Sequence, residues 1–124
     1  MRVVVNGIRL FFDVEGAVLE PGAGAMREKP TLILLHGGPG MDHTGYKPRF
    51  SQLADLCQVI YLDHRGNGRS DPATPESWTL AQWGGDVYAF CEALGRMVSE
   101  HGHTLLNGCR TEFDRLIAEE IKKR

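Results

Sequence analysis

The residue types best suited to chemistry in this 124-residue chain fall in two clusters, His36-Gly37-Gly38-Pro39-Gly40 and Asp63-His64-Arg65-Gly66-Asn67-Gly68-Arg69-Ser70. Each follows directly on an apolar run, Thr31 to Leu35 in the first case and Val59 to Leu62 in the second. The first cluster suits stabilisation of an oxyanion. Attack on a carbonyl builds negative charge on its oxygen, and pre-aimed backbone N–H groups hold that charge; losing one such donor typically costs about 3–4 kcal/mol. Glycine lets the main chain approach a substrate closely and adopt φ values that turn N–H groups inward. Pro39 removes a donor and stiffens the loop. Gly37 and Gly38 are therefore the expected donors, Gly38 first, with His36, Pro39 and Gly40 shaping the turn. A generic glycine turn is the plain alternative. A phosphate cradle is disfavoured, because no Gly-Lys-Ser/Thr follows and the spacing is not Gly-x-Gly-x-x-Gly.

The second cluster reads as architecture. Gly66 and Gly68 shape the turn after the strand, and Arg65 is expected to pin it through carboxylate or carbonyl contacts. Asp63 and His64 superficially suggest an acid/base pair. Adjacent residues on a strand point to opposite faces, so the two are badly placed to share a proton. No Gly-x-Ser-x-Gly occurs anywhere in the chain. Ser51, Ser70, Ser77 and Ser99 read as caps or surface residues. His101, His103 and Cys109 lack the fourth ligand and the spacing of a zinc site; no metal and no cofactor are expected.

The elements that must position these clusters are legible. Val3-Val4-Val5 and Ile8 to Val14 flank Asn6-Gly7, the signature of a hairpin with a type I′ turn. Residues 15–29 read as an exposed loop. Thr31 to Leu35 is continuously apolar, as a strand covered on both faces should be, and a strand over residues 58–62 follows a short helix over residues 49–55. Thr79 and Gln82 have capping-box spacing. They open a helix in which Leu80, Trp83, Val87, Phe90, Cys91 and Leu94 recur at helical intervals, with Gly95 as its C′ residue. A poor strand over residues 96–100 and a terminal helix from Glu112, burying Phe113, Leu116, Ile117 and Ile121, complete the reading.

Composition narrows the function classes. A net charge of -2 gives no electrostatic footprint for nucleic acid or an anionic membrane. The basic end Lys122-Lys123-Arg124 reads as a solvated helix terminus. No apolar run approaches the roughly 18–20 residues needed to span a bilayer. The N-terminus lacks the apolar region of a secretory signal. Cys57, Cys91 and Cys109 are odd in number and scattered, which suits reduced thiols and a cytoplasmic location.

Residues 3–95 resemble the N-terminal half of the prolyl aminopeptidase (proline iminopeptidase) branch of the α/β-hydrolases. The resemblance rests on Val5-Asn6-Gly7-Ile8-Arg9-Leu10, the His36–Gly40 and Asp63–Ser70 clusters, and the Trp83 helix ending Glu92-Ala93-Leu94-Gly95. It implies an α/β fold with an N-terminal hairpin, parallel central strands and flanking helices, a Ser-Asp-His mechanism, and small peptide or ester substrates. Related esterases, lipases and other hydrolases share the same clusters. The chain departs from the family after Gly95, where a strongly apolar strand and the serine elbow should follow. One alignment places Thr104 at the nucleophile position, but Leu106 stands where a glycine is wanted. The better alignment matches Gly102-His103 and the Glu112-Phe113 helix to the far end of the family.

On that register residues 1–124 form a single truncated α/β-hydrolase domain, 1–95 from its N-terminal half and 96–124 from its C-terminal His turn and helix. His103 would match the triad base. The expectation is a serine-hydrolase relative, inactive alone for want of a nucleophile. The alternatives are an internally deleted ester or amide hydrolase of other specificity, a non-catalytic interaction remnant that self-associates through an exposed sheet edge, and a mis-assembled reading frame.

Overall fold

The computed structural model describes residues 1–95. The poor strand over 96–100, His101, His103, Thr104, Cys109 and the terminal helix lie outside the described residues. Strands β1 (Arg2–Val5) and β2 (Ile8–Glu15) form the expected hairpin, with Asn6 and Gly7 at φ 47° and 75°. Both turn residues therefore take the positive φ of a type I′ turn.

Residues 15–29 are not all loop: β3 (Leu19–Pro21) and β4 (Met26–Glu28) pair antiparallel as a small ribbon. Its residues are exposed or half-buried, so no apolar alternation announced it. A side-chain ion pair between Arg27 and Glu20 closes it. The helix expected over 49–55 also differs. It starts earlier, as α1 (Lys47–Phe50), and then tightens into a 3₁₀ turn over Ser51–Asp55. Pro48 sits in its first turn, where a missing N–H costs nothing.

β5 (Thr31–Leu35) and β6 (Gln58–Leu62) are where the sequence placed them, and they lie side by side and parallel, Thr31 opposite Gln58 and Leu35 opposite Leu62. β6 also pairs antiparallel with β2, giving the sheet order β1-β2-β6-β5. Both central strands are covered on both faces. Ile33, Leu35, Ile60 and Leu62 join Val5, Leu10, Val87 and Phe90 on the side of α2 (Leu80–Gly95). Leu32, Leu34, Val59 and Tyr61 join Cys57, with Tyr46, Phe50 and Leu53 packed against them on the side of α1. Alternate residues feeding opposite cores is the period of a strand. Each such Val, Leu, Ile or Phe contributes about 1.5–3 kcal/mol by leaving water.

α2 begins with half of the expected capping box. Thr79 Oγ1 accepts the Gln82 N–H at 3.2 Å, but the Gln82 amide reaches forward to Asp86 Oδ1 at 3.1 Å rather than back to the cap. Gly95 belongs to the helix and is not among the glycines with positive φ, so it is not the left-handed C′ residue expected.

Candidate functional site

Because β5 and β6 run parallel in register, both glycine turns leave the same end of the sheet as neighbours. The alternation of β6 continues beyond its last residue. Asp63 goes to the α1 side, where it meets His43, and His64 goes to the α2 side, where it stacks on Trp83 with ring centroids 4.4 Å apart and planes 2° from parallel. The adjacent acid and imidazole thus have separate partners.

Four hydrogen bonds lace the first turn and the segment after it to the second. The His64 N–H donates to His36 Nε2 at 3.0 Å, and the Gly40 N–H to Asn67 Oδ1 at 2.7 Å. Asp63 Oδ1 accepts the His43 N–H at 2.8 Å and His43 Nδ1–H at 2.9 Å. The other carboxylate oxygen, Oδ2, takes the Arg69 N–H at 3.0 Å. With Gly40 engaged by Asn67 and Pro39 lacking an N–H, Gly37 and Gly38 carry the turn's N–H groups that have no protein acceptor among the described residues. Gly38 is exposed, at φ 49°.

The second turn closes on itself and on its surroundings. Ser70 Oγ donates to the Asp63 carbonyl at 2.6 Å and accepts the Phe11 N–H at 2.9 Å. It is buried and internal, not the cap or surface residue expected. Arg65 binds Asp86 bidentately, Nε to Oδ2 at 2.6 Å and Nη2 to Oδ1 at 2.8 Å. Asn6 Nδ2 reaches Asp86 Oδ1 at 2.9 Å, so the hairpin turn, α2 and the Arg65 turn share one carboxylate. Glycine is demanded at position 68: φ is 54°, and a Cβ there would lie 2.3 Å from Asp63 Oδ2.

Sequence reasoning missed His43 and Asp86, and gave Asn67, a member of the second cluster, no role of its own. Asp86 did leave a signal, since a carboxylate among Trp83, Val87 and Phe90 on an apolar helix face needs a cation or several donors. His43 opens a short 3₁₀ turn and Asn67 lies within the second glycine turn, and neither left a signal of its contacts.

Burial sets the protonation of the two central imidazoles. Removal from water holds His36 below the ordinary histidine range, against the opposing pull of the Gly37 carbonyl and Asp63. Burial, with His36 as like-charged neighbour, pushes His64 down to about 3. Both rings are neutral near pH 7. Among the described residues candidate nucleophiles are few. Ser51, Ser70 and Ser77 each donate their hydroxyl to a main-chain carbonyl, of Lys47, Asp63 and Thr74 respectively. Burial raises the Cys57 thiol and pushes Cys91 up to about 11, away from the thiolate a nucleophile needs. Among the described residues no group of three His, Cys, Asp or Glu side chains could hold a metal ion. No described helix is long and apolar enough to cross a membrane. A groove of about 670 Å³ lies elsewhere, between Asn6, Arg65 and the outer flank of α2, and residues 36–40 take no part in it.

A mixed sheet whose parallel strands deliver two laced glycine turns to one edge defines an α/β protein built around that edge. The chain belongs to the alpha/beta hydrolase fold family, whose model matches residues 30–97. It is 41% identical over 61 residues to a proline iminopeptidase of Levilactobacillus brevis, an overlap of 47% of this chain and 20% of the relative. It is 33% identical over 82 residues to a Caulobacter sp. (strain K31) protein named as a putative carbamate hydrolase, covering 66% of this chain and 30% of that one. The crystal structure of a proline iminopeptidase-related protein from Thermus thermophilus superimposes with a TM-score of 0.74 at 28% identity, over 100% of this chain and 39% of that one. The chain thus spans well under half the length of each.

Proposed function

We propose that this chain is the oxyanion side of an α/β-hydrolase of the proline iminopeptidase type, directed at small peptides or esters, and that it does not turn over substrate by itself. One observation carries the reading. In the turn after β5, Asn67 engages Gly40 and Pro39 has no donor, so the N–H groups left for a developing oxyanion are those of Gly37 and Gly38. His36, Pro39, Gly40, Asp63, Arg65, Gly66 and Gly68 hold that turn in place. The serine mechanism comes from the family resemblance, and His103 is its proposed base. Without a nucleophile within reach of that base, kcat falls by something on the order of 10⁶, by analogy with subtilisin.

Assays of proline arylamide and short acyl-ester hydrolysis test the proposal. The expected result is no turnover above the buffer rate; saturable hydrolysis would overturn it. Whether the chain joins the two ends of a hydrolase near Gly95 and Arg96 is tested by sequencing the transcript there, where recovery of a Gly-x-Ser-x-Gly segment restores the full enzyme. A non-catalytic, self-associating role draws on one observation, that β5 pairs only with β6 among the described residues. A clean monomer in light scattering would remove it.

A further inference from the structure

We propose that His36 is a positioning residue: its ring, anchored on the His64 main chain, holds the Gly37 carbonyl and so aims the Gly38 N–H. The inference rests on the oxyanion reading of Gly38 and adds the device that orients it.

Proton placement on the ring follows from its two contacts. A backbone N–H can only donate, so the His64 N–H at 3.0 Å fixes His36 Nε2 as an acceptor. The single proton of the neutral ring then lies on Nδ1, which faces the Gly37 carbonyl oxygen at 3.0 Å. The two contacts demand the same tautomer. The Gly37 carbonyl and the Gly38 N–H belong to one planar trans peptide, and no cis bond occurs among the described residues. The two bonds point in opposite directions across that plane. Drawing the carbonyl onto the imidazole therefore turns the Gly38 N–H the other way, away from the buried ring.

The packing keeps the ring from rotating. His36 is 2% exposed, and it meets His64 edge-on at 4.7 Å and Trp83 at 6.3 Å. Asp63 and Asp42 draw a proton toward it, while burial and His43 oppose one, and His64 lies against it in its neutral form. A second proton would sit on Nε2 and face the His64 N–H, donor against donor. The strut would open.

Nitrogen-15 NMR of the full chain tests this without any substrate, so it is judged separately from the hydrolysis assays that judge the oxyanion reading. The expected spectrum has a protonated Nδ1 and a bare Nε2 on His36, unchanged between about pH 7 and pH 8. A proton on Nε2, or a titration in that range, overturns the proposal whatever any variant does. Two variants then divide the roles. His36→Asn keeps a donor near the Nδ1 position and should leave the Gly38 amide resonance near its original place. His36→Gln keeps only a group near Nε2 and should move that resonance. Equal effects of the two substitutions would mean that the ring only fills space.

Discussion

Asp63 binds His43 twice through a single oxygen: Oδ1 accepts both the His43 main-chain N–H, at 2.8 Å, and the ring Nδ1–H, at 2.9 Å. Its second oxygen takes the Arg69 N–H, and its carbonyl takes Ser70 Oγ. A fully buried side chain at the end of β6 thus ties the segment after the first glycine turn to the second turn. Removing the charge while keeping the shape isolates that role. Asp63→Asn should destabilise the chain by at least about 2–3 kcal/mol, because an amide nitrogen would face a donor and the remaining bonds lose their charge assistance. Urea unfolding followed by tryptophan fluorescence measures it.

His64 should be more costly as histidine than as phenylalanine. Among the described residues neither of its two buried ring nitrogens has a hydrogen-bond partner. His64→Phe keeps the stack on Trp83 and the main-chain N–H to His36 while deleting two orphaned polar atoms. Stability at pH 7, read from denaturant midpoints, should rise by about 1–2 kcal/mol.

The same residue sets an acid limb. Its folded value, about 3, lies below the ordinary histidine value of 6.5, so protons favour the unfolded chain. The stability is fully present above about pH 6.5 and drains away as pH falls toward 3, by on the order of 5 kcal/mol over the window. His36 acts with the same sign. Denaturant midpoints against pH should fall below pH 6.5 in the wild type and fall less in His64→Phe.

Glycine substitutions should separate architecture from the exposed edge. Gly68→Ala forces a Cβ to 2.3 Å from Asp63 Oδ2 at a positive φ and should cost more than about 3 kcal/mol. Gly38→Ala has a comparable φ, but among the described residues its Cβ meets only Met41 Sδ, at 3.9 Å. It should cost only about 1–2 kcal/mol of backbone strain. Thermal melts of the pair would show whether the first turn tolerates a side chain that the second does not.

Arg65→Lys tests the other tie. A lysine offers a point charge where Asp86 takes a fork, so one carboxylate oxygen loses its cationic partner. Arg65→Ala leaves a 1% exposed carboxylate without its cation and should cost about 3–5 kcal/mol. The lysine variant should fall between wild type and alanine in the same unfolding assay.

Much of this was readable in advance, for identifiable reasons. Asn6-Gly7 between two strand-like runs, five apolar residues at 31–35 and the Trp83, Val87, Phe90 spacing are local signals, and each produced its element. The β3–β4 ribbon was not readable because Leu19, Glu20, Met26 and Arg27 hold no apolar period and bury little. At the site, glycine spacing located the two turns. The ties between them, His43 to Asp63, Asn67 to Gly40 and His64 to His36, are contacts over 20 or more residues that depend on the parallel register of β5 and β6. Spacing along the chain carries no trace of them. Ser70 was misread for the same reason, since its partners Phe11 and Asp63 become neighbours only in the folded sheet.

The central claim, an oxyanion edge without an attacking hydroxyl, is tested most directly by intact mass spectrometry of the full chain after incubation with a fluorophosphonate. The account predicts an unmodified mass, with or without a proline substrate analogue present. Stoichiometric covalent phosphonylation of Ser51, Ser70, Ser77 or Ser99, suppressed by that analogue, would contradict it.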